Sequence, residues 1–150
     1  MLLRPAVSED ADILLSWVNS SESLKWKQNT NSPISPSQHD KWLRNRLLDS
    51  NTQIWIVLQG ALPVGQVRLE RQSDIVYTDI YIDWGARGQG IASAALECAI
   101  AKYKSAHGNH VFCAIVHVEN KSSQKLFIKN RFNPIESGDA DWLKYIRSEE

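Results

Sequence analysis

The residues best placed to do chemistry lie in the run ARGQGIASAALECAI, from Ala86 to Ile100. There Arg87-Gly88-Gln89-Gly90-Ile91-Ala92 joins a β-type run ending at Ile82 to a helical apolar pattern. A strand, a glycine-bearing turn and a helix N-terminus together form an anion cradle. Backbone N–H groups point outward there, and the helix dipole adds partial positive charge. Glycine lets the backbone approach a phosphate with no Cβ in the way. The turn is therefore expected to hold a phosphate-bearing cofactor or substrate. No Gly-Lys-Ser/Thr follows, which argues against a P-loop triphosphatase. A dinucleotide fingerprint fits at Gly88 and Gly90 but has Ser93 where its third glycine belongs.

Three side chains are candidates for moving a proton. Asp79 lies in a largely apolar and aromatic run (Ile75, Tyr77, Ile80, Tyr81), where partial burial would raise a carboxyl's pKa. The competing reading is a carboxylate on a solvated sheet face. His117 lies near a strand end, three residues before Asn120, and an imidazole titrates at about 6.5, matched to neutral pH. Its bland alternative is a ring satisfied by neighbouring backbone. Glu70 is the third, against a solvated-strand alternative.

Six tryptophans are many for this length, and Trp17, Trp26 and Trp42 fall in the N-terminal third. Indoles bury large area, so core packing is the ordinary role. The set Trp26, Asn29, His39 and Trp42 would also suit a sugar ring or nucleobase, by stacking and hydrogen bonding. Arg68, in PVGQVRLE, could meet a substrate phosphate; otherwise it is an exposed strand arginine.

The elements that must position these groups follow from patterning. The 150 residues are 43% hydrophobic and 23% charged, enough for one sizeable core and one domain over 1–150. Lys plus Arg and Asp plus Glu are balanced at 17 each, which argues against bulk nucleic-acid or membrane-surface binding. No apolar run reaches the roughly 18 residues of a membrane span. MLLRPAVSED is too short and too soon acidic for a signal peptide. Cys98 and Cys113, without a CxxC, read as buried thiols in a reducing cytoplasm, and no metal site is expected.

Leu2 to Val7 is predicted as a strand, followed by a helix capped by Ser8 with Ala11, Leu14 and Val18 as its buried stripe. A loop covers Lys27 to Ser32. Ser35-Pro36-Ser37-Gln38 reads as a capping box opening a helix through Leu48. Gln53 to Gln59 and Pro63 to Arg71 form a hairpin about Gly60-Ala61, and Asp74 to Ile82 a third strand. The helix after the turn carries Ala92, Leu96, Ala99, Ile100 and Tyr103 and ends near Gly108. Val111 to Val118 is a strand, and Asn120 caps a helix to about Asn130. Phe132 to Glu136 and Asp141 to Arg147 close the sheet. The order is β-α-α-β-β-β-α-β-α-β-β.

The R-G-x-G-x-A turn after a strand resembles the coenzyme-A pyrophosphate loop of the GCN5-related N-acetyltransferase (GNAT) superfamily. The run from Asn120 to Phe132 resembles that family's N-x-x-S-x-x-x-Y/F-x-K-x-G-F segment, with Asn120, Ser123, Phe127, Lys129 and Phe132 in place. The element order agrees, so the resemblance covers essentially the whole chain. It implies an α/β (α+β) domain with a mixed sheet of about seven strands flanked by four helices. It also implies acetyl-coenzyme A as co-substrate, held by Arg87 to Ala92 and bordered by Asn120, Ser123, Phe127 and Lys129. A backbone N–H near Ile82 would polarise the thioester carbonyl. An alkylammonium is about 99.9% protonated at neutral pH, so a base or water chain is needed, with Asp79 and His117 the candidates.

Two positions depart from the family pattern. Phe127 stands where many members have a tyrosine able to protonate the leaving thiolate. Arg131 stands where glycine usually precedes the final phenylalanine, so a left-handed turn there would be strained and the helix end reshaped. Within the superfamily, LRPAVSEDADILLSWVNS, ISPSQHDKWLRNRL and IWIV…LPVGQVRLER resemble the acetyltransferases of bacterial nonulosonic-acid pathways. That resemblance implies a UDP-linked amino-sugar as acceptor; Asn29, His39, Trp42 and Arg68, chosen by residue type, are the candidates to bind it, and a homodimer is allowed. The alternatives are a ribosomal-protein N-terminal or small-molecule amine acetyltransferase, or a non-catalytic acyl-coenzyme-A sensor.

Overall fold

The computed structural model describes residues 2–26 and 32–148. Strands β1 (Leu3–Pro5), β2 (Thr52–Gln59), β3 (Leu62–Gln72), β4 (Ile75–Ile82), β5 (Val111–His117), β6 (Asn133–Ile135) and β7 (Trp142–Ser148) form one sheet in the order β1-β2-β3-β4-β5-β7-β6. All neighbours are antiparallel except β4 and β5, which run parallel because α4 (Ile91–His107) crosses between them. Helices α1 (Ala11–Val18), α2 (Ser21–Lys25) and α3 (Pro36–Leu48) precede the hairpin, and α5 (Lys121–Lys129) follows β5. This is the α/β arrangement the resemblance implies.

Side-chain alternation splits the core between the two sheet faces. On one face Val67, Leu69, Val76, Phe112 and Ala114 pack with Leu96, Ala99, Ile100 and Tyr103 of α4 and Phe127 of α5. On the other, Ile54 and Ile56 pack with Leu14 and Trp17 of α1 and Leu43 of α3. Gly65 on β3 has no room for a side chain: a Cβ there would run into the carbonyl oxygen of Tyr81 on β4.

The capping chemistry explains most of the helix starts. Ser35 Oγ accepts from Gln38 N–H at 3.2 Å while Gln38 Oε1 accepts from Ser35 N–H at 3.3 Å, with Pro36 at the first helical position. Asn120 Oδ1 accepts from Ser123 N–H at 3.3 Å at the head of α5. Ser8 does not cap: it lies within a 3-10 turn, Ser8–Asp10, and Asp10 does the work instead. The Asp10 carboxylate accepts from Arg4 and from Val7 N–H, each at 2.9 Å, and these bonds hold it below the usual carboxylate range, Arg4 contributing most.

Other details depart from the sequence reading. The buried stripe of α1 is Leu14 and Trp17, with Val18 and Ala11 only half-buried. A one-turn helix, α2, was not predicted; Ser20 caps it by accepting from Ser23 N–H at 3.2 Å. Arg131 is not reshaped into a right-handed turn: it adopts φ +69°, the left-handed conformation that glycine takes without strain. Cys113 is buried, which pushes its thiol pKa up, whereas Cys98 is only half-buried. Most of the predicted loop from Lys27 to Ser32, Asn29 included, lies outside the described residues.

Candidate active site

The site is built on a gap in the sheet. β4 and β5 pair from Ile75–Val111 to Tyr77–Cys113, yet β4 continues to Ile82 and β5 to His117. A wedge therefore opens between their C-terminal halves, at the carboxyl ends of two parallel strands, where open α/β sheets take ligands. Asp83 N–H donates to Val64 on β3 at 2.7 Å, so the N–H of Ile82, one residue back, points the other way, toward β5 and the wedge. The Ile82 carbonyl is taken by Arg87 Nε–H at 2.7 Å.

The glycine turn lies directly beyond. Gly88 and Gly90 have φ +79° and +76°, and a Cβ placed on either would meet nothing within 4 Å. Open space over left-handed backbone at the head of a 17-residue helix is the geometry of an anion cradle. Gly90 caps α4 with its backbone, and Ala94 N–H returns to Gly90 O at 3.1 Å. Gln89 is exposed and tied by Gln59 Nε2–H at 2.9 Å. The Arg87 guanidinium sits 5.6 Å from the Tyr81 ring and 5.3 Å from the Trp84 ring, a cation held between two aromatic faces.

A cleft of about 980 Å³ runs from this turn across the wedge to α1 and α3. On the turn side it is lined by Ile82, Arg87, Gly88, Gly90, Ile91 and Ala92, then by Asn120, Ser123, Phe127 and Lys129. These residues could hold a coenzyme-A-type molecule, with its pyrophosphate at the turn and its arm in the wedge. Gln89 does not line the cleft. Phe127 is buried and packs edge-on against Phe132, with ring centroids 5.0 Å apart.

The far side carries the acceptor candidates. Trp42 and His39 of α3 line it with ring centroids 5.5 Å apart, His39 being buried. Arg68 lies across the Trp42 indole at 5.2 Å, and Arg46 at 5.9 Å. Asp79 also lines the cleft, but it is exposed and accepts from Gln66 Nε2–H at 2.9 Å. Of the two readings of Asp79, the carboxylate on a solvated sheet face is the one found, with Gln66 and the Arg68 opposite it in register as polar neighbours. Glu70 is not in the cleft; its carboxylate pairs with Arg46.

His117 is half-buried in the cleft wall. Its ring sits 5.2 Å from Trp26 and 5.0 Å, edge-on, from Trp142, its partner in register on β7. Its Nδ1 accepts from Glu119 N–H at 3.1 Å. The sequence reading missed Trp142, Gln66 and Tyr81 as members of this wall. Cross-strand register brings in Trp142 and Gln66, which spacing along the chain does not report, whereas Tyr81 follows Asp79 by two residues on β4 and shares its face by alternation.

One further contact braces the cradle. Ser93, in the first turn of α4, and Asn130, at the end of α5, exchange hydrogen bonds of 2.7 and 3.1 Å. Among the described residues no group of three or more His, Cys, Asp or Glu side chains could hold a metal ion, and no helix is long and apolar enough to cross a membrane.

Comparison with known proteins bears on the family and the fold. The family model described as "Acetyltransferase (GNAT) domain" matches residues 1–133. No curated protein matches the chain. Among solved structures, a domain from Methanocaldococcus jannaschii aligns over 99% of this chain and 97% of its own, at 19% identity and TM-score 0.86. RimL, a ribosomal L7/L12 alpha-N-protein acetyltransferase in complex with coenzyme A, aligns over 99% and 94%, at 17% identity and TM-score 0.83. A ribosomal-protein-alanine N-acetyltransferase from Brucella melitensis aligns over 99% and 100%, at 20% identity and TM-score 0.81. These identities establish a shared fold; the family match over most of the chain establishes more. The protein belongs to the GNAT acetyltransferase family and is an acetyl-coenzyme-A-dependent acyltransferase.

Proposed function

We propose that the protein acetylates a primary amine by direct attack, and that the amine is carried by a nucleotide-linked amino-sugar. The observation that carries the transfer reaction is the wedge, with the Ile82 N–H facing it and the open glycine turn at its mouth. Acetyl-coenzyme A supplies the activated acetyl thioester. Backbone N–H groups from Gly88 to Ala92 bind its pyrophosphate, and Asn120, Ser123, Phe127 and Lys129 border its arm. The Ile82 N–H donates to the thioester carbonyl oxygen, where negative charge grows as the amine approaches.

The amine nitrogen forms a bond to the carbonyl carbon, the carbon–sulfur bond breaks, and the nitrogen's proton must leave. Asp79 is the acceptor of that proton, directly or through one water. Its carboxylate is in the cleft and has lone pairs beyond the one that Gln66 uses. Phe127 supplies no proton, so the thiolate takes one from solvent at the open end of the cleft.

The acceptor class is supported by the lining opposite the cradle. Trp42 offers a flat apolar face for a ring, His39 a polar edge beside it, and Arg68 a cation for a phosphate. Arg68 stacks over Trp42 at 5.2 Å and reaches Glu70 only at 3.9 Å, which leaves N–H donors for a phosphate. Asn29 is assigned to the same subsite from its sequence position. A second reading, a peptide or ribosomal-protein N-terminus, is favoured by the likeness to RimL and the Brucella enzyme.

A thiol-release assay with UDP-linked amino-sugars, peptides with free N-termini and polyamines separates the two. Release with the sugars alone supports the first reading. Release with peptides alone replaces it by the second.

A further inference from the structure

We infer that His117 is locked as a hydrogen-bond donor and reads an oxygen next to the acceptor amine, leaving the amine's proton to Asp79. The inference rests on the acetyl-transfer reading of the cleft. Its starting point is the 3.1 Å bond from Glu119 N–H to His117 Nδ1. A backbone N–H can only donate, so Nδ1 must keep its lone pair and the neutral ring must carry its proton on Nε2. Protonating Nδ1 would set one N–H against another.

The neutral ring therefore has no basic nitrogen left to offer the cleft. What it offers is Nε2–H. Trp26 and Trp142, with centroids at 5.2 and 5.0 Å, hold the ring plane in place. A half-buried imidazole so braced is a positioned donor.

Strand parity says what it can reach. Tyr77 and Cys113 are register partners, so Asp79 on β4 and His117 on β5 project from the same sheet face, one on each side of the wedge. An amine entering between them must keep its lone pair for the carbonyl carbon. A donor at His117 therefore cannot serve the nitrogen, and its partner is an oxygen on the neighbouring carbon. That chemistry defines the acceptor as a vicinal amino alcohol, as on a sugar ring, or an α-amino carbonyl, as at a peptide N-terminus. His117 is then a specificity-determining residue.

Two measurements test this. Long-range ¹H–¹⁵N NMR of the free protein at neutral pH should show His117 with its proton on Nε2; a proton on Nδ1 would overturn the inference. Thiol release should then be compared for trans-2-aminocyclohexanol, glycinamide and cyclohexylamine. The wild type should favour one or both oxygen-bearing amines over cyclohexylamine by about tenfold in kcat/KM, the worth of one hydrogen bond. His117→Gln, which keeps a donor near Nε2, should retain that preference, and His117→Ala should lose it through the oxygen-bearing amine alone. The aminocyclohexanol and glycinamide arms separate a sugar-like from a peptide-like source of the oxygen. If His117→Gln is as inactive as His117→Ala on all three amines, His117 is the base and the inference fails. Thiol release with no amine at all would count against the acetyl-transfer reading, while the NMR result would still decide the tautomer.

Discussion

Arg87 donates its Nε–H to the carbonyl of Ile82 at 2.7 Å, tying the glycine turn to the end of the strand that precedes it. The bond fixes two things together. It sets the cradle at a defined distance from the wedge, and it satisfies the Ile82 carbonyl so that the N–H is the polar group Ile82 presents toward β5. Tyr81 and Trp84 flank the same guanidinium, which limits its freedom. Arg87→Lys keeps the charge but loses the planar group that bonds and stacks at once. It should weaken acetyl-coenzyme-A binding several-fold with little change in melting temperature, as calorimetry and a thermal melt would show.

Asp79→Asn removes the proposed proton acceptor and leaves a side chain of equal size. The residue is exposed, so folding should be untouched. Turnover should fall on the order of a hundredfold or more, the usual worth of a positioned base. Wild-type kcat in the variant would move the proton to solvent.

Phe127 is buried against Phe132, so Phe127→Ala should cost about 3 kcal/mol of stability through lost packing. Phe127→Tyr is expected to fold and to remain active, because the ring lines the cleft and a hydroxyl can project into it. Urea denaturation and a thiol assay on the two variants check both halves.

Arg131 adopts φ +69° with an exposed side chain. Arg131→Gly should stabilise the fold by about 1 kcal/mol, since glycine takes that conformation without strain. Its ion contact to Glu97, at 3.5 Å, lies at the surface and is worth little. A lowered melting midpoint would contradict this.

The Asp10 carboxylate is held below the usual carboxylate range, by Arg4 first and by Val7 N–H as well. A depressed folded-state pKa gives stability that is fully present above the unfolded-state value and lost as pH falls through the folded one. Wild-type stability should therefore decline below the usual carboxylate range more steeply than that of Asp10→Asn. At neutral pH that variant should be about 2 kcal/mol less stable. Urea melts at neutral and acid pH measure both.

Much of this fold was legible because its signals are local. The capping box at Ser35–Gln38, the Gly60 hairpin and the glycines at either end of α4 each state their geometry within a few residues. The glycine turn proposed to hold the cofactor was legible as a turn for the same reason: its left-handed backbone is written in its glycines. The acceptor half was not. Trp142 reaches His117 through strand register, 25 residues away in sequence, and Gln66 reaches Asp79 across a hairpin. Asp79 sits among apolar neighbours along the chain yet faces polar ones across the sheet, so the strand alone left burial and exposure both open. The Asp10 cap was hidden similarly, because Ser8 is the better N-cap by type and the bond from Arg4 decides otherwise.

The central claim is that the turn at Gly88–Gly90 holds acetyl-coenzyme A, and one titration tests it most directly. Acetyl-coenzyme A is titrated calorimetrically into the wild type and into Gly90→Asp, with circular dichroism confirming that the variant is folded. The substitution puts a carboxylate into the open space above Gly90, against the expected pyrophosphate. The wild type should bind saturably, and the variant should lose at least about tenfold in affinity from like-charge repulsion at the helix N-terminus. Equal affinity in the two folded proteins, or no binding by the wild type, would contradict that claim.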